Sequence, residues 1–172
     1  THSDAVCLSA GGCVAYYPTQ VPFHHRSAWL GARDVFGELV TGCRDLGMVV
    51  VARTDPHATY DDVQAAHPDW IAVGGDGRPR RHWASPEMWV TCGLGPYNFE
   101  LMTAVSREIM ERYRVDGLFV NRWDGSGTCY CVHCRDGFRA ATGLDLPRTA
   151  APHGALPREY RQYRNRRPHH LH

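Results

Sequence analysis

Lysine is absent: all nineteen basic side chains among the 172 residues are arginines. Without an ε-amine the chain offers no Schiff-base nucleophile, no pyridoxal-phosphate anchor and no Walker-type phosphate lysine. Long apolar runs are missing too. The longest, such as Met48 to Ala52, falls far short of the ~20 residues needed to cross a bilayer, so no transmembrane segment is expected. The start, Thr1-His2-Ser3-Asp4, has neither a charged n-region nor an apolar h-region, so no signal peptide is expected. With no initiator methionine, the chain reads as an excerpt or a processed product. A strong charge of either sign is also lacking. The formal net charge of +1 gives no bulk electrostatic case for nucleic acid or an anionic membrane.

What is present suits one ordinary globular domain with a sizeable core: 43% hydrophobic and 22% charged residues. Charge is uneven along it. Residues 144–172 carry six arginines against Asp145 and Glu159, a net of +4 that leaves −3 on the rest. That segment reads as the polar face of an outer helix, and residues 1–143 as the unit preceding it.

Hydrophobic patterning sets the order of elements. Ala5 to Ala10 is a short apolar run closed by Gly11-Gly12, a buried strand and its loop. Phe36, Leu39, Val40, Cys43 and Leu46 recur on one helical face that Gly47 caps. Met48 to Ala52 reads as a second strand, apolar and covered on both faces. Asp61 to His67 fits a short helix, and Gly74-Gly75-Asp76-Gly77 a tight turn. Gly95-Pro96 opens a long helix with a core stripe of Met102, Val105, Ile109 and Tyr113 and an outer Glu108–Arg112 pair. Leu118-Phe119-Val120 is a third strand, and Cys131 to Ala141 a last helix ending at Gly143. Three strand–helix repeats with continuous apolar strands predict an α/β fold with a parallel sheet. Sites in such a fold gather at the strand C-termini. No glycine-rich dinucleotide fingerprint follows a strand, which leaves a partial (β/α)8 barrel of about three βα units.

Seven cysteines are present. Cys7 and Cys43 fall on expected core faces, where a small thiol needs no function. Cys129, Cys131 and Cys134 cannot all be core, because successive positions face different ways. A C-x-C-x-x-C run at a loop-to-helix junction can turn three thiolates toward one centre, with Cys92 as a fourth ligand for structural Zn²⁺. A disulfide and free thiols in a tight loop are the alternatives. His133, between two proposed ligands, is expected to face solvent. Clustered thiols lean toward a reducing cytoplasm.

The stretch from Val49 to Phe138 resembles the clan of (β/α)8 glycoside hydrolases, especially family 42 β-galactosidases and the "hypothetical glycosyl hydrolase" barrels. The resemblance rests on His67-Pro68-Asp69-Trp70, Gly75-Asp76-Gly77-Arg78, Arg80-Arg81-His82, Cys92 with Pro96-Tyr97, Asp116-Gly117-Leu118-Phe119 and the cysteine run. It implies barrel strands two to four, a zinc site on Cys92, Cys129, Cys131 and Cys134, and hydrolysis of a carbohydrate substrate in the full-length protein. It also implies Asn-Glu at the end of the fourth strand, the Glu serving as general acid/base. Here that strand ends Asn121-Arg122, and arginine cannot donate a proton near neutral pH. Asp124, beside Trp123, is then the candidate acid; a loop aspartate capping Gly125-Ser126-Gly127 is the other reading.

Arg53, Asp55, Asn121 and Arg122 are candidates to hydrogen-bond a sugar or a carboxylated substrate, and Trp123, Trp83 and Tyr17 to stack on one. His24 and His25 read as surface histidines. The chain by itself is expected to be inactive. Two alternatives stay open: a catalytically silent carbohydrate-binding barrel, and a zinc module that binds nucleic acid through its arginine-rich tail. The sequence gives no oligomeric state.

Overall fold

A computed structural model describes residues 3–122 and 127–147, together with 158, 162 and 163. In chain order the elements are β1 (Ala5–Ser9), α1 (Val35–Asp45), β2 (Val49–Thr54), β3 (Ala58–Thr59), α2 (Asp61–Ala66), β4 (Trp89–Val90), α3 (Met102–Tyr113), β5 (Gly117–Val120) and α4 (Val132–Thr142). Strands β1, β2 and β5 form a parallel sheet in that order. The parallel α/β expectation holds. Between β2 and α3 lies a small antiparallel excursion of β3 and β4.

One face of the sheet carries the core. Val50, Ala52 and Thr54 alternate inward on β2 and are buried. Val50 and Ala52 pack in one cluster with Phe36 and Val40 of α1 and Val105, Ile109 and Tyr113 of α3. Asp34 caps α1 by accepting from the Gly37 amide at 2.9 Å, and it also accepts from the Tyr113 hydroxyl at 2.8 Å. A Cβ on Gly37 would lie 2.9 Å from the Tyr113 ring, so this glycine permits the close approach of the two helices. Helix α1 ends at Gly47 in the left-handed region. Asp116 then locks the β2–β5 register: its amide donates to the Val50 carbonyl and its carboxylate accepts from the Val50 amide, both at 2.8 Å.

Several sequence expectations are corrected here. Strand β2 is covered on one face only. Val49, Cys7 and Phe119 lie on the other face and are exposed, because no described element packs against it. Cys7 is therefore not a core thiol. Of the α1 stripe only Phe36 and Val40 are buried, while Leu39 and Leu46 are exposed. The α3 stripe is buried as read. Glu108 and Arg112, however, do not pair with each other. Glu108 accepts from the Tyr17 hydroxyl (2.8 Å), the Thr19 hydroxyl (2.7 Å) and the Gln20 amide (2.6 Å), tying the long loop after β1 to α3. Arg112 reaches Asp34 and the Pro18 carbonyl. Tyr17 is thus a core residue and not a stacking platform.

A second core surrounds the cysteines, built from Ala72, Val90, Leu94, Tyr130, Phe138 and Leu146 with the four sulfurs among them. The His67-Pro68-Asp69-Trp70 motif braces it. His67 stacks on Trp70 at 3.9 Å, and Trp70 meets Tyr97 edge-on in the first core. No helix among the described residues is long and apolar enough to cross a membrane.

Candidate active site and cysteine cluster

Parallel strands bring their C-terminal ends to one edge, and the backbone ladder continues past them there. The Ala10 amide donates to the Arg53 carbonyl and the Asn121 amide to the Thr54 carbonyl, at 2.9 and 2.8 Å. On this rim Arg53 forms an ion pair with Asp55: an Nη donates to Oδ1 at 3.2 Å, and Nε lies 3.1 Å from Oδ2 without hydrogen-bond geometry. The Asn121 amide also donates to Asp55 Oδ1. Three residues read as substrate-binding candidates, brought by the ends of β2 and β5, therefore meet. The carboxylate is fixed by one guanidinium hydrogen bond within an ion pair and by an amide, an arrangement that presents oriented acceptor lone pairs to a sugar hydroxyl. Gly12 makes this possible: a Cβ there would fall 2.6 Å from Asp55 Cβ and 2.8 Å from its carbonyl oxygen.

Arg122 is exposed, in a left-handed backbone conformation (φ 52°), with its guanidinium 5.8 Å from the Trp83 ring centre. Trp83 is 61% exposed and lies beside His82, ring centres 4.0 Å apart. His57, two residues past Asp55, sits 5.2 Å from His82. Burial pushes both imidazoles below the ordinary histidine range. The His82 and Arg122 charges add to this at His57, and Arg122 does so at His82. Trp123 and Asp124 lie outside the described residues.

Sequence reasoning missed His57, His82 and Gly12. His57 had a signal, since it shares the parity of Arg53 and Asp55 beyond the strand end. His82 arrives from the β3–β4 excursion, which no periodicity announced. His24 is a correction: it is 5% exposed, not a surface group, and neither ring nitrogen has a partner. His25 is exposed and pairs with Asp62 at 3.0 Å.

Burial lowers the His24 pKa to about 4 from its ordinary 6.5, against a smaller upward pull from Glu108. Between those two values the unfolded chain takes up a proton that the folded chain refuses. The folded state is therefore fully favoured above pH 6.5 and loses roughly 3 kcal/mol as the pH falls toward 4. Urea unfolding at pH 7 and 4.5 checks this, and His24→Phe is expected to flatten that part of the profile.

The cysteine cluster stands apart from this rim. The Cys92 amide donates to the Trp70 carbonyl at 2.8 Å, and the Tyr130 amide to the Val73 carbonyl at 3.0 Å, so the 70–73 segment aligns both halves. Cys92 Sγ lies 3.4 Å from Cys134 Sγ and 3.5 Å from Cys131 Sγ, and all four ligand atoms fall within 4.8 Å of one another. All four cysteines are buried and none is in a disulfide. The Val73 amide donates to Cys129 Sγ at 3.3 Å. His133 turns away from the sulfurs and pairs with Asp69 at 3.0 Å.

A family model described as hypothetical glycosyl hydrolase 6 matches residues 1–122. Among solved structures, the chain is similar to α-L-fucosidase isoenzyme 2 from Paenibacillus thiaminolyticus, with a TM-score of 0.65 and 22% identity. That alignment covers 95% of this chain and 23% of the fucosidase, so the chain spans about a quarter of the length of that protein. No curated protein matches the chain.

Proposed function

The chain belongs to the hypothetical glycosyl hydrolase 6 family, and on that premise we propose that it supplies the first strand ends of a glycoside hydrolase barrel acting on O-glycosidic bonds. The observation that carries this reading is the Arg53–Asp55–Asn121 constellation on the rim of a parallel sheet, where barrel enzymes assemble their sites. Asp55 serves as an oriented acceptor for a sugar hydroxyl, Arg53 and Asn121 hold it, and Trp83 offers a flat face for the sugar's C–H edge. The acid/base pair that glycosidic cleavage requires is not complete among the described residues, of whose carboxyls only Asp55 follows a strand of the parallel sheet directly. Asp124 remains the candidate acid, and a nucleophile comes from a further strand of the full-length protein.

The test is release of aglycone from a panel of aryl glycosides that includes α-L-fucoside and β-D-galactoside. Turnover of at least one by the full-length protein is expected. A second reading, a barrel that binds carbohydrate without cleaving it, is favoured by Arg122 standing where the family 42 pattern has its glutamate. Sugar binding without turnover of any glycoside selects it. Neither turnover nor binding overturns both.

We also propose Zn²⁺ at Cys92, Cys129, Cys131 and Cys134. Tetrahedral zinc–sulfur bonds of about 2.3 Å place sulfurs about 3.8 Å apart, close to the 3.4 and 3.5 Å from Cys92 to Cys134 and Cys131 in a cluster no wider than 4.8 Å. Four sulfurs close the coordination sphere, so the ion braces the loops around Cys92 and Cys129 and activates no water. The amide of Val73 on Cys129 is the supporting donor expected around a metal thiolate.

A further inference from the structure

The rim carries side chains that the sugar-hydroxyl reading does not use, His57, His82 and Arg122, grouped around the Trp83 face that it does. Their hydrogen-bonding inventory is one-sided. His82 Nδ1 accepts from the backbone amides of Ala84 (3.3 Å) and Ser85 (3.1 Å), which fixes the neutral ring as the Nε2–H tautomer. That Nε2 is a donor with no partner, on a side chain only 8% exposed. A buried donor left unmatched is costly, and native structures rarely keep one without a reason. His57 Nδ1, on the neighbouring ring, is a second buried nitrogen without a partner.

Arg122 adds a fork of donors and a full positive charge. Arg53 spends its charge on Asp55, whereas Arg122 makes no ion pair among the described residues. Its left-handed backbone conformation is one that residues with a side chain adopt only at a cost, and such strain concentrates at ligand sites. Trp83 holds the guanidinium near its ring while leaving most of its own surface open. The carboxylates nearest the two imidazoles are Asp55 beside His57, already engaged, and Glu87 beside His82, exposed. A place lined by a guanidinium and an imidazole N–H that have no hydrogen-bond partner among the described residues calls for a ligand group that only accepts.

We propose that His57, His82, Trp83 and Arg122 form a subsite for a sugar bearing an anionic substituent, a carboxylate or a sulfate ester. This rests on the proposed carbohydrate function and narrows its substrate class. The sugar ring lies along Trp83, its anionic group meets the Arg122 guanidinium and the His82 Nε2–H, and Asp55 takes a hydroxyl of the same ring or its neighbour.

Calorimetric titration of the full-length protein with D-glucuronate, glucose 6-sulfate and neutral D-glucose tests the assignment. At least one anionic sugar is expected to bind about tenfold or more tightly than glucose, and the two anions decide between carboxylate and sulfate. In Arg122→Gln the ratio of anionic to neutral affinity falls to about one, and Arg122→Lys restores part of it. Equal affinities for charged and neutral sugars, or a preference that survives Arg122→Gln, overturn the subsite and leave the carbohydrate reading standing. Binding of none of the three, together with no turnover of any glycoside, removes both.

Discussion

Replacing Cys131 by serine is expected to strip the protein of one bound zinc per chain and to lower its melting temperature by about 10 °C or more. The size follows from where the sulfurs sit. They are the centre of the second core, flanked by Phe138, Leu94 and Val90, and they join α4 to the loop before α3. Structural zinc bound by thiolates is worth roughly 10 kcal/mol or more in peptides that fold around it. Loss of even about 4 kcal/mol from a chain of this size shifts the midpoint by about 10 °C. Serine is smaller and more polar at this buried position, so the loss of bound zinc, not the loss of stability, is what separates a metal role from a packing role. Cys7→Ser, outside the cluster and exposed, serves as the control and is expected to change neither metal content nor stability. Purified protein without zinc, or a Cys131→Ser variant that keeps it, would show that these four thiols close a core and hold no ion.

The parts of this molecule legible in the sequence are those set by local periodicity. The α3 stripe of Met102, Val105, Ile109 and Tyr113 is buried as its spacing requires, and the Gly47 and Gly143 stops end α1 and α4. The cysteine spacing was informative for the same reason: three sulfurs within six residues constrain one another, and one distant partner then completes the set. Features that depend on what lies across space were not legible. The Glu108–Arg112 spacing is right for a helical pair, yet three donors from the loop after β1 claim the glutamate first. Leu39, Val49 and Phe119 are apolar in pattern and exposed in fact, because burial needs a partner and periodicity reports only the face.

The candidate site divides along the same line. Arg53, Asp55 and Asn121 announce themselves by following strand ends. His57 shares that position, but His82 does not, since it reaches the rim through the β3–β4 excursion and is placed by two backbone amides. The family motifs also change meaning when placed in space. His67-Pro68-Asp69-Trp70, one of the motifs that carry the resemblance, is structural in space: His67 stacks on Trp70 of the first core, and Asp69 pairs with His133.

The proposed hold of Asp55 on sugar is tested most directly by the kinetics of the Asp55→Asn variant on a hydrolysed aryl glycoside. Asparagine preserves shape but replaces one acceptor oxygen with a donor, and it frees Arg53 from its ion pair. Loss of a hydrogen bond to a charged acceptor is worth up to about 3 kcal/mol, so kcat/KM is expected to fall roughly 10²-fold. The melting temperature should move little, because the pair is partly exposed. Gly12→Ala, which pushes on the Asp55 backbone without touching its carboxylate, is expected to lower kcat/KM in the same direction. A value of kcat/KM for Asp55→Asn within twofold of the unaltered protein would contradict the claim and move the sugar off this rim.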